Sequence, residues 1–211
     1  MKKLIKKMIR KIISSMLLIL GRFNIGQFIY EQFIDVIINR TKLVEHSGTK
    51  LVLSTPNGLT RYRADSFSSK EPETLDWLDG IPKNSVLWDI GANVGLYTCY
   101  VAKKSNCRVF AFEPSVFNLE VLARNIHLNG LSDLVTIIPL PLSSELSINK
   151  LNMTSTNWGG AMSTFGETYG HDGNFLDKVF VLPVVGLSMN DASNLLGIPQ
   201  PDYIKMDVDG I

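Results

Sequence analysis

Val86-Leu-Trp-Asp-Ile-Gly-Ala-Asn-Val-Gly-Leu-Tyr97 sets the reading of the whole chain. Ser85 to Asp89 is a short apolar run closed by an acid, the pattern of a strand buried on both faces. Gly91 and Gly95 then supply a sharp turn and a backbone that a ligand can approach with no β-carbon in the way. Leu96 to Lys103 resumes at helical spacing.

Downstream the alternation repeats. Arg108 to Glu113 reads as a second strand, Asn118 to Leu128 as a second helix capped by Asn118, and Val135 to Pro139 as a third strand. Residues 140 to 180 are polar and weakly periodic, an excursion of loops or short antiparallel strands, with Val179 to Val185 an edge strand. Asp191 to Leu196 is a short helix and Pro201 to Asp207 a fourth sheet strand. Such alternation predicts an α/β fold, a mainly parallel sheet with helices on both faces.

Upstream, Lys50 to Ser54 and Thr60 to Arg63 read as a hairpin around Pro56-Asn57-Gly58, and Ser68 to Leu78 as a helix that Gly80 and Pro82 stop. Gly21 to Arg40 is a further helix. At the start, Leu4, Ile5, Met8, Ile9, Ile12, Ile13, Met16 and Leu17 recur every three or four residues, which predicts an amphipathic helix. The chain thus divides into a basic helical segment (1–45), a hairpin and helix leading into the core (46–84) and the α/β domain (85–211).

Composition narrows the function. Of 211 residues 45% are hydrophobic and 19% charged, enough for one sizeable core. The net charge of +1 conceals Lys2, Lys3, Lys6, Lys7, Arg10 and Lys11 in the first dozen residues with no acid among them. Without a basic stripe elsewhere, a nucleic-acid partner is not expected; a small-molecule or glycan acceptor is. The oligomeric state is left open. The apolar run from Ile12 to Leu20 is too short to span a bilayer, which takes roughly 20 residues. Residues 1–20 fit a peripheral anchor on anionic lipid, a helix packed on the domain, or a signal sequence. The expected location is the cytoplasm, with the inner membrane face as the anchor's place. Cys99 and Cys107 form no paired motif and read as small buried apolar residues. His46, His127 and His171 share no metal-ligand spacing, and no metal is expected.

Ligands of parallel sheets sit beyond the carboxyl ends of the strands, where Asp89, Glu113 and Asp207 all fall. The dinucleotide pattern G-x-G-x-x-G is not met, because Asn93 takes the middle glycine and Leu96 the third, which disfavours nicotinamide. Glu113, about twenty residues past the turn, is placed to accept two ribose hydroxyls.

Val86 to Tyr97, Val109-Phe-Ala-Phe-Glu-Pro-Ser115, Asn118, Leu122, Asn125, Leu128-Asn129 and Asp202-Tyr-Ile-Lys-Met-Asp-Val-Asp-Gly210 together resemble the FkbM family of S-adenosylmethionine-dependent methyltransferases. The resemblance runs over about residues 58 to 211 and implies a Rossmann-like class I methyltransferase fold. It implies that Asp89, Gly91, Asn93 and Gly95 surround the methionine end of S-adenosylmethionine and that Glu113 holds the ribose. Ala92, Tyr97, Pro114, Asn118, Ser143 and Asp207 complete the expected cofactor set. Family members are associated with O-methylation of sugars, polysaccharides and natural-product hydroxyls.

Two motifs depart from the family's usual pattern. Pro141-Leu-Ser-Ser144 replaces Ala-Leu-Ser-Asp, and Asp207-Val-Asp-Gly210 replaces Asp-Val-Glu-Gly. The family continues past the point matching Ile211, so the C-terminal part of the sheet is expected to be missing, with a catalytically silent cofactor-binding or interaction protein as the alternative to an enzyme. For the chemistry, Asp207 is expected to orient cofactor or acceptor, and Asp207, Asp209 or Lys205 to assist acceptor deprotonation. The competing reading of Lys205 is an ion pair with a neighbouring acid, because a lysine inside a central strand must satisfy its charge.

Overall fold

Periodic apolar residues carry the N-terminal region into two helices, α1 (Lys2–Leu20) and α2 (Asn24–Ile38). The computed structural model describes residues 2–170 and 173–208; Asp209 and His171, both considered above, lie outside the described residues. The chain divides into two compact units, Met1–Arg40 and Thr41–Ile211. In the first, the start of α2 lies close against the end of α1 at Gly26, where a β-carbon would stand 1.9 Å from the Leu20 carbonyl oxygen. No helix among the described residues is long and apolar enough to cross a membrane.

The second unit opens with an antiparallel hairpin, β1 (Thr41–His46) and β2 (Thr49–Ser54), so residues 41–45 belong here and not to the helical segment. Its turn is Ser47-Gly48, both at positive φ, as a two-residue hairpin loop requires. The hairpin expected around Pro56-Asn57-Gly58 is not formed. Asn57 instead caps α3 (Gly58–Asp65): its side chain accepts the Thr60 N–H at 2.8 Å, and Thr60 Oγ1 accepts the Asn57 N–H at 3.3 Å. This reciprocal pair satisfies two helix-end donors that a strand would have left to a partner. Asn57→Ala should cost about 1–2 kcal/mol of stability; an unshifted urea midpoint would show that the cap does not hold this helix.

Pro72 opens α4 (Pro72–Asp79), four residues later than Ser68 suggested. Asp79 at its end binds Ser47, Tyr100 and Lys104, tying helix and hairpin turn to the core. Burial works against that carboxylate, but these bonds win and hold its pKa down to about 2.

Strands and helices then alternate as anticipated: β3 (Val86–Ile90), α5 (Leu96–Ser105), β4 (Arg108–Phe112), α6 (Val116–Leu128) and β5 (Val135–Ile138). The polar excursion forms β6 (Ser147–Met153), β7 (Ser163–Phe165) and β8 (Phe180–Gly186), a separate antiparallel sheet in the order β7-β6-β8. After α7 (Met189–Leu196) the chain returns to the first sheet as β9 (Tyr203–Met206). The main sheet is parallel throughout, in the order β5-β4-β3-β9. Successive strand residues face opposite sides. Leu87, Val109, Ala111 and Val135 pack with the hairpin and helices α4 to α6, whereas Trp88, Ile90, Phe110 and Phe112 pack with Leu187, Ala192 and Ile198. Cys99 and Cys107 are fully buried within the first of these layers; burial and the nearby Asp89 push the Cys99 thiol up to about 12.

Candidate active site

Chain order reverses across β3, which has β4 on one side and β9 on the other. The crevice between β3 and β9, beyond their carboxyl ends, is where such a sheet accepts ligands. Register sets Lys205 of β9 directly beside Asp89 of β3. Lys205 Nζ donates to Asp89 Oδ1 at 3.0 Å, and Thr98 Oγ1 donates to Asp89 Oδ2 at 2.5 Å. With Asp89 1% exposed and Lys205 9%, this is a buried ion pair, the competing reading of Lys205. Its Nζ lies also 5.5 Å from the Tyr97 ring centroid and 3.9 Å from Asp207 Oδ2. Burial alone would lower the Lys205 pKa, but Asp89, Asp207 and Glu71 raise it above the ordinary lysine value. It therefore stays charged at neutral pH.

The glycine loop owes its shape to contacts on both sides. Gly91 sits at φ +80° with no room for a side chain, since a β-carbon would stand 2.0 Å from the Asp207 carbonyl oxygen. Gly95, at φ +78°, faces the tip of Leu122 at 2.3 Å. Asn93 occupies the left-handed region at φ 51°, a conformation asparagine tolerates better than most residues. Its N–H donates to Glu113 Oε2 at 2.8 Å. Glu113 Oε1 accepts the Ser115 N–H at 2.8 Å and Asn118 Nδ2 at 3.4 Å. Burial drives the Glu113 pKa up; the three donors oppose it, the negative Asp89 adds to it, and the net result is raised.

Asn118 is not a helix cap. Ser115 holds that position, and Asn118 lies buried inside α6, because its amide is engaged by a loop forty residues on. Its Oδ1 accepts the Gly159 N–H at 3.0 Å and its Nδ2 donates to the Gly160 carbonyl at 3.0 Å. Asn93 Nδ2 reaches the same Gly160 oxygen at 2.7 Å. From α3, Arg63 Nε donates to the Gly159 carbonyl at 2.9 Å and Asn57 Nδ2 to that of Trp158 at 3.0 Å. The Trp158-Gly-Gly160 turn is thereby bound to both the glycine loop and α3.

Three cavities open around Gly91. The largest, about 260 Å³, is walled by Arg63, Glu113, Pro114, Asn118, Gly160 to Ser163 and Asp207. A second, about 50 Å³, lies between Phe67, Glu71, the loop from Gly91 to Val94, Leu96, Tyr97, Lys205 and Asp207. The third, about 100 Å³, is mostly apolar, lined by Ile90, Phe112, Pro114, Leu140 to Leu142 and Met206. Among the expected cofactor residues, Gly91, Ala92, Asn93, Tyr97, Glu113, Pro114, Asn118 and Asp207 meet here. Asp89 and Gly95 line none of the three: Asp89 is held by Lys205 and Thr98, and Gly95 faces Leu122. Ser143 lines none of the three cavities, and its N–H is bonded to the Leu187 carbonyl at 2.9 Å.

Sequence reasoning missed Arg63, Lys70 and Glu71. The Asn57-x-x-Thr60 spacing, read as a cap, would have put Arg63 on a helix. Glu71 pairs with Lys70 at 2.5 Å and accepts the Tyr97 hydroxyl at 3.0 Å. Burial lowers the Arg63 pKa, although Asp207, Glu71 and Glu113 all pull the other way. Among the described residues no cluster of His, Cys, Asp and Glu could hold a metal ion.

A parallel sheet reversing at a glycine loop, with a buried acid closing the next strand, defines a Rossmann-like α/β domain of the class I methyltransferase fold. The chain belongs to the FkbM methyltransferase family, whose model, the methyltransferase FkbM domain, matches residues 89–211. It is 27% identical over 139 residues to the hexuronic acid methyltransferase AglP of Haloferax volcanii, covering 63% of this chain and 49% of that protein. It is 37% identical over 66 residues to the methyltransferase sdnD of Sordaria araneosa, covering 31% of this chain and 26% of the other. The chain thus spans about half or less of the length of these relatives. Among solved structures, M. jannaschii TYW2 in complex with AdoMet overlaps 46% of this chain and 42% of its own, with 25% identity and a TM-score of 0.36. So partial an overlap leaves the fold to be read from the strand order and the family match.

Proposed function

We propose that this crevice binds S-adenosylmethionine and that the protein directs its methyl group to an oxygen of a sugar or glycan acceptor. The observation that carries this reading is the convergence of Gly91, Asn93, Glu113 and Asp207 on one polar cavity at the sheet's reversal. The donor set fits the cofactor. The first-turn N–H groups of α5 lack helical acceptors and suit a carboxylate. Glu113 suits ribose hydroxyls, and the apolar cavity beside Phe112 and Leu142 suits a flat purine. The polar side chain lining it is Ser163, not an acid. When bound, the cofactor supplies an electrophilic methyl on a sulfonium.

What the chain contributes is alignment and proton removal. Asp207, with 68% of its side chain exposed at the mouth, accepts the acceptor's hydroxyl proton as the new C–O bond forms and the C–S bond breaks. Lys205, charged and paired, supplies field and position, not a base. The hexuronic acid relative supports a sugar acceptor, with Arg63 on the cavity wall available to an acidic one.

Calorimetry with S-adenosylmethionine, then transfer of labelled methyl to a glycan fraction containing uronic acids, tests the two halves separately. No heat of binding from folded protein refutes the cofactor; binding without any transfer leaves a silent cofactor-binding protein. The raised Glu113 pKa makes a further expectation. Ribose hydroxyls need the ionised carboxylate, so affinity should be full above that raised value and fall as pH drops through it. Glu113→Gln should weaken binding about 10- to 100-fold, the scale of one or two charge-assisted hydrogen bonds, and flatten the pH profile. A Glu113→Gln profile that still follows the native one would place the titration elsewhere.

A further inference from the structure

The first unit exposes apolar surface out of proportion to its length. Seventeen large apolar residues between Leu4 and Ile37 are exposed among the described residues, from 41% at Ile37 to 74% at Leu18. On α1 they are segregated up to Met16, beyond which Leu17 and Leu18 fall on the cationic side. At about 100° per residue, Lys6, Lys7, Arg10 and Lys11 fall on one half of the helix and Leu4, Ile5, Met8, Ile9, Ile12 and Met16 on the other. No acidic residue lies in α1, and Lys6, Lys7, Arg10 and Lys11 are all exposed. α2 continues the apolar surface with Ile25, Phe28, Phe33 and Val36, each more than half exposed.

A patch of this kind marks an interaction site, and its chemistry selects the partner. Nucleic acid would take the cations and leave the apolar half in water. A second copy of the chain would cover the apolar half and leave the cations facing water, with no anionic partner. An anionic bilayer surface satisfies both halves at once, with the apolar stripe sunk into the acyl boundary and the cations among the headgroups. We infer that α1 and α2 form a monotopic element lying in the plane of an anionic membrane. This surface is independent of the cofactor site.

The test is flotation of the full chain with vesicles of phosphatidylcholine alone or containing about 30% phosphatidylglycerol, at low and high salt. Binding is expected to the anionic vesicles, to be much weaker on neutral ones, and to fall with salt. Lys6→Glu/Lys7→Glu/Arg10→Glu/Lys11→Glu should lower affinity at least 100-fold, since each cation contributes about fivefold. Ile9→Gln/Ile12→Gln should do so through the other face, with the melt of the α/β unit unchanged in both variants. Equal binding to neutral vesicles, or native binding by the charge-reversed variant, overturns the inference. So does no vesicle binding by a chain that light scattering shows to be a dimer through these helices.

Discussion

Lys205→Met is expected to destabilise the α/β unit by about 3–5 kcal/mol, the cost of leaving one member of a buried ion pair alone. Asp89 is 1% exposed, and without Lys205 its described side-chain partner is the Thr98 hydroxyl. The urea midpoint should fall with the slope unchanged, because the area exposed on unfolding is the same. Asp89→Asn/Lys205→Met should recover part of the loss, since the uncompensated charge is gone while a Thr98 contact is retained. Additive losses in the double variant would mean the two residues stabilise the sheet separately. The sign with pH follows from the raised lysine pKa. The native advantage is fully present below the ordinary lysine value and is lost only as pH rises through the higher folded value.

Gly91→Ala should be the most damaging single methyl in the α/β unit. The added carbon meets the backbone of Asp207, 2.0 Å from its oxygen and 2.9 Å from its carbonyl carbon. Backbone cannot rotate away, and the Asp207 N–H is bonded to the Ile90 carbonyl at 2.9 Å, so β9 and β3 would have to part where the crevice lies. S-adenosylmethionine affinity should fall at least 100-fold, equivalent to about 2.7 kcal/mol. Gly95→Ala shares the positive φ, so the conformational strain is common to both. Its obstacle is only the end of Leu122, which can change rotamer, and its loss should be clearly smaller. Comparable titrations of the two variants decide it: equal losses would mean that strain, not the clash with Asp207, matters.

The glycine loop and Glu113 were legible because their meaning is local. A strand closed by an acid, two glycines four apart and a second strand ending in Glu113 require only backbone sterics and short-range periodicity. Pro56-Asn57-Gly58 was ambiguous for an equally local reason: the same residues suit a hairpin turn and a helix start, and the hydroxyl of Thr60 settles it. Ser47-Gly48, the real hairpin turn, carries a weaker turn signal than Asn-Gly. Asn118 looked like a cap because asparagine is usual there, but its partners Gly159 and Gly160 lie in the distant loop between β6 and β7.

By itself, then, the sequence determined the parallel α/β frame, the glycine loop, the acid behind it and the amphipathic N-terminal helix, all of which rest on preferences between residues a few positions apart. Only the tertiary structure decided that Lys205 neutralises Asp89, that Arg63 and Glu71 stand at the crevice, and that Gly160 to Ser163 wall it. Those contacts join residues that are neighbours through strand register and loop docking, and nothing in the local periodicity of either partner encodes the other.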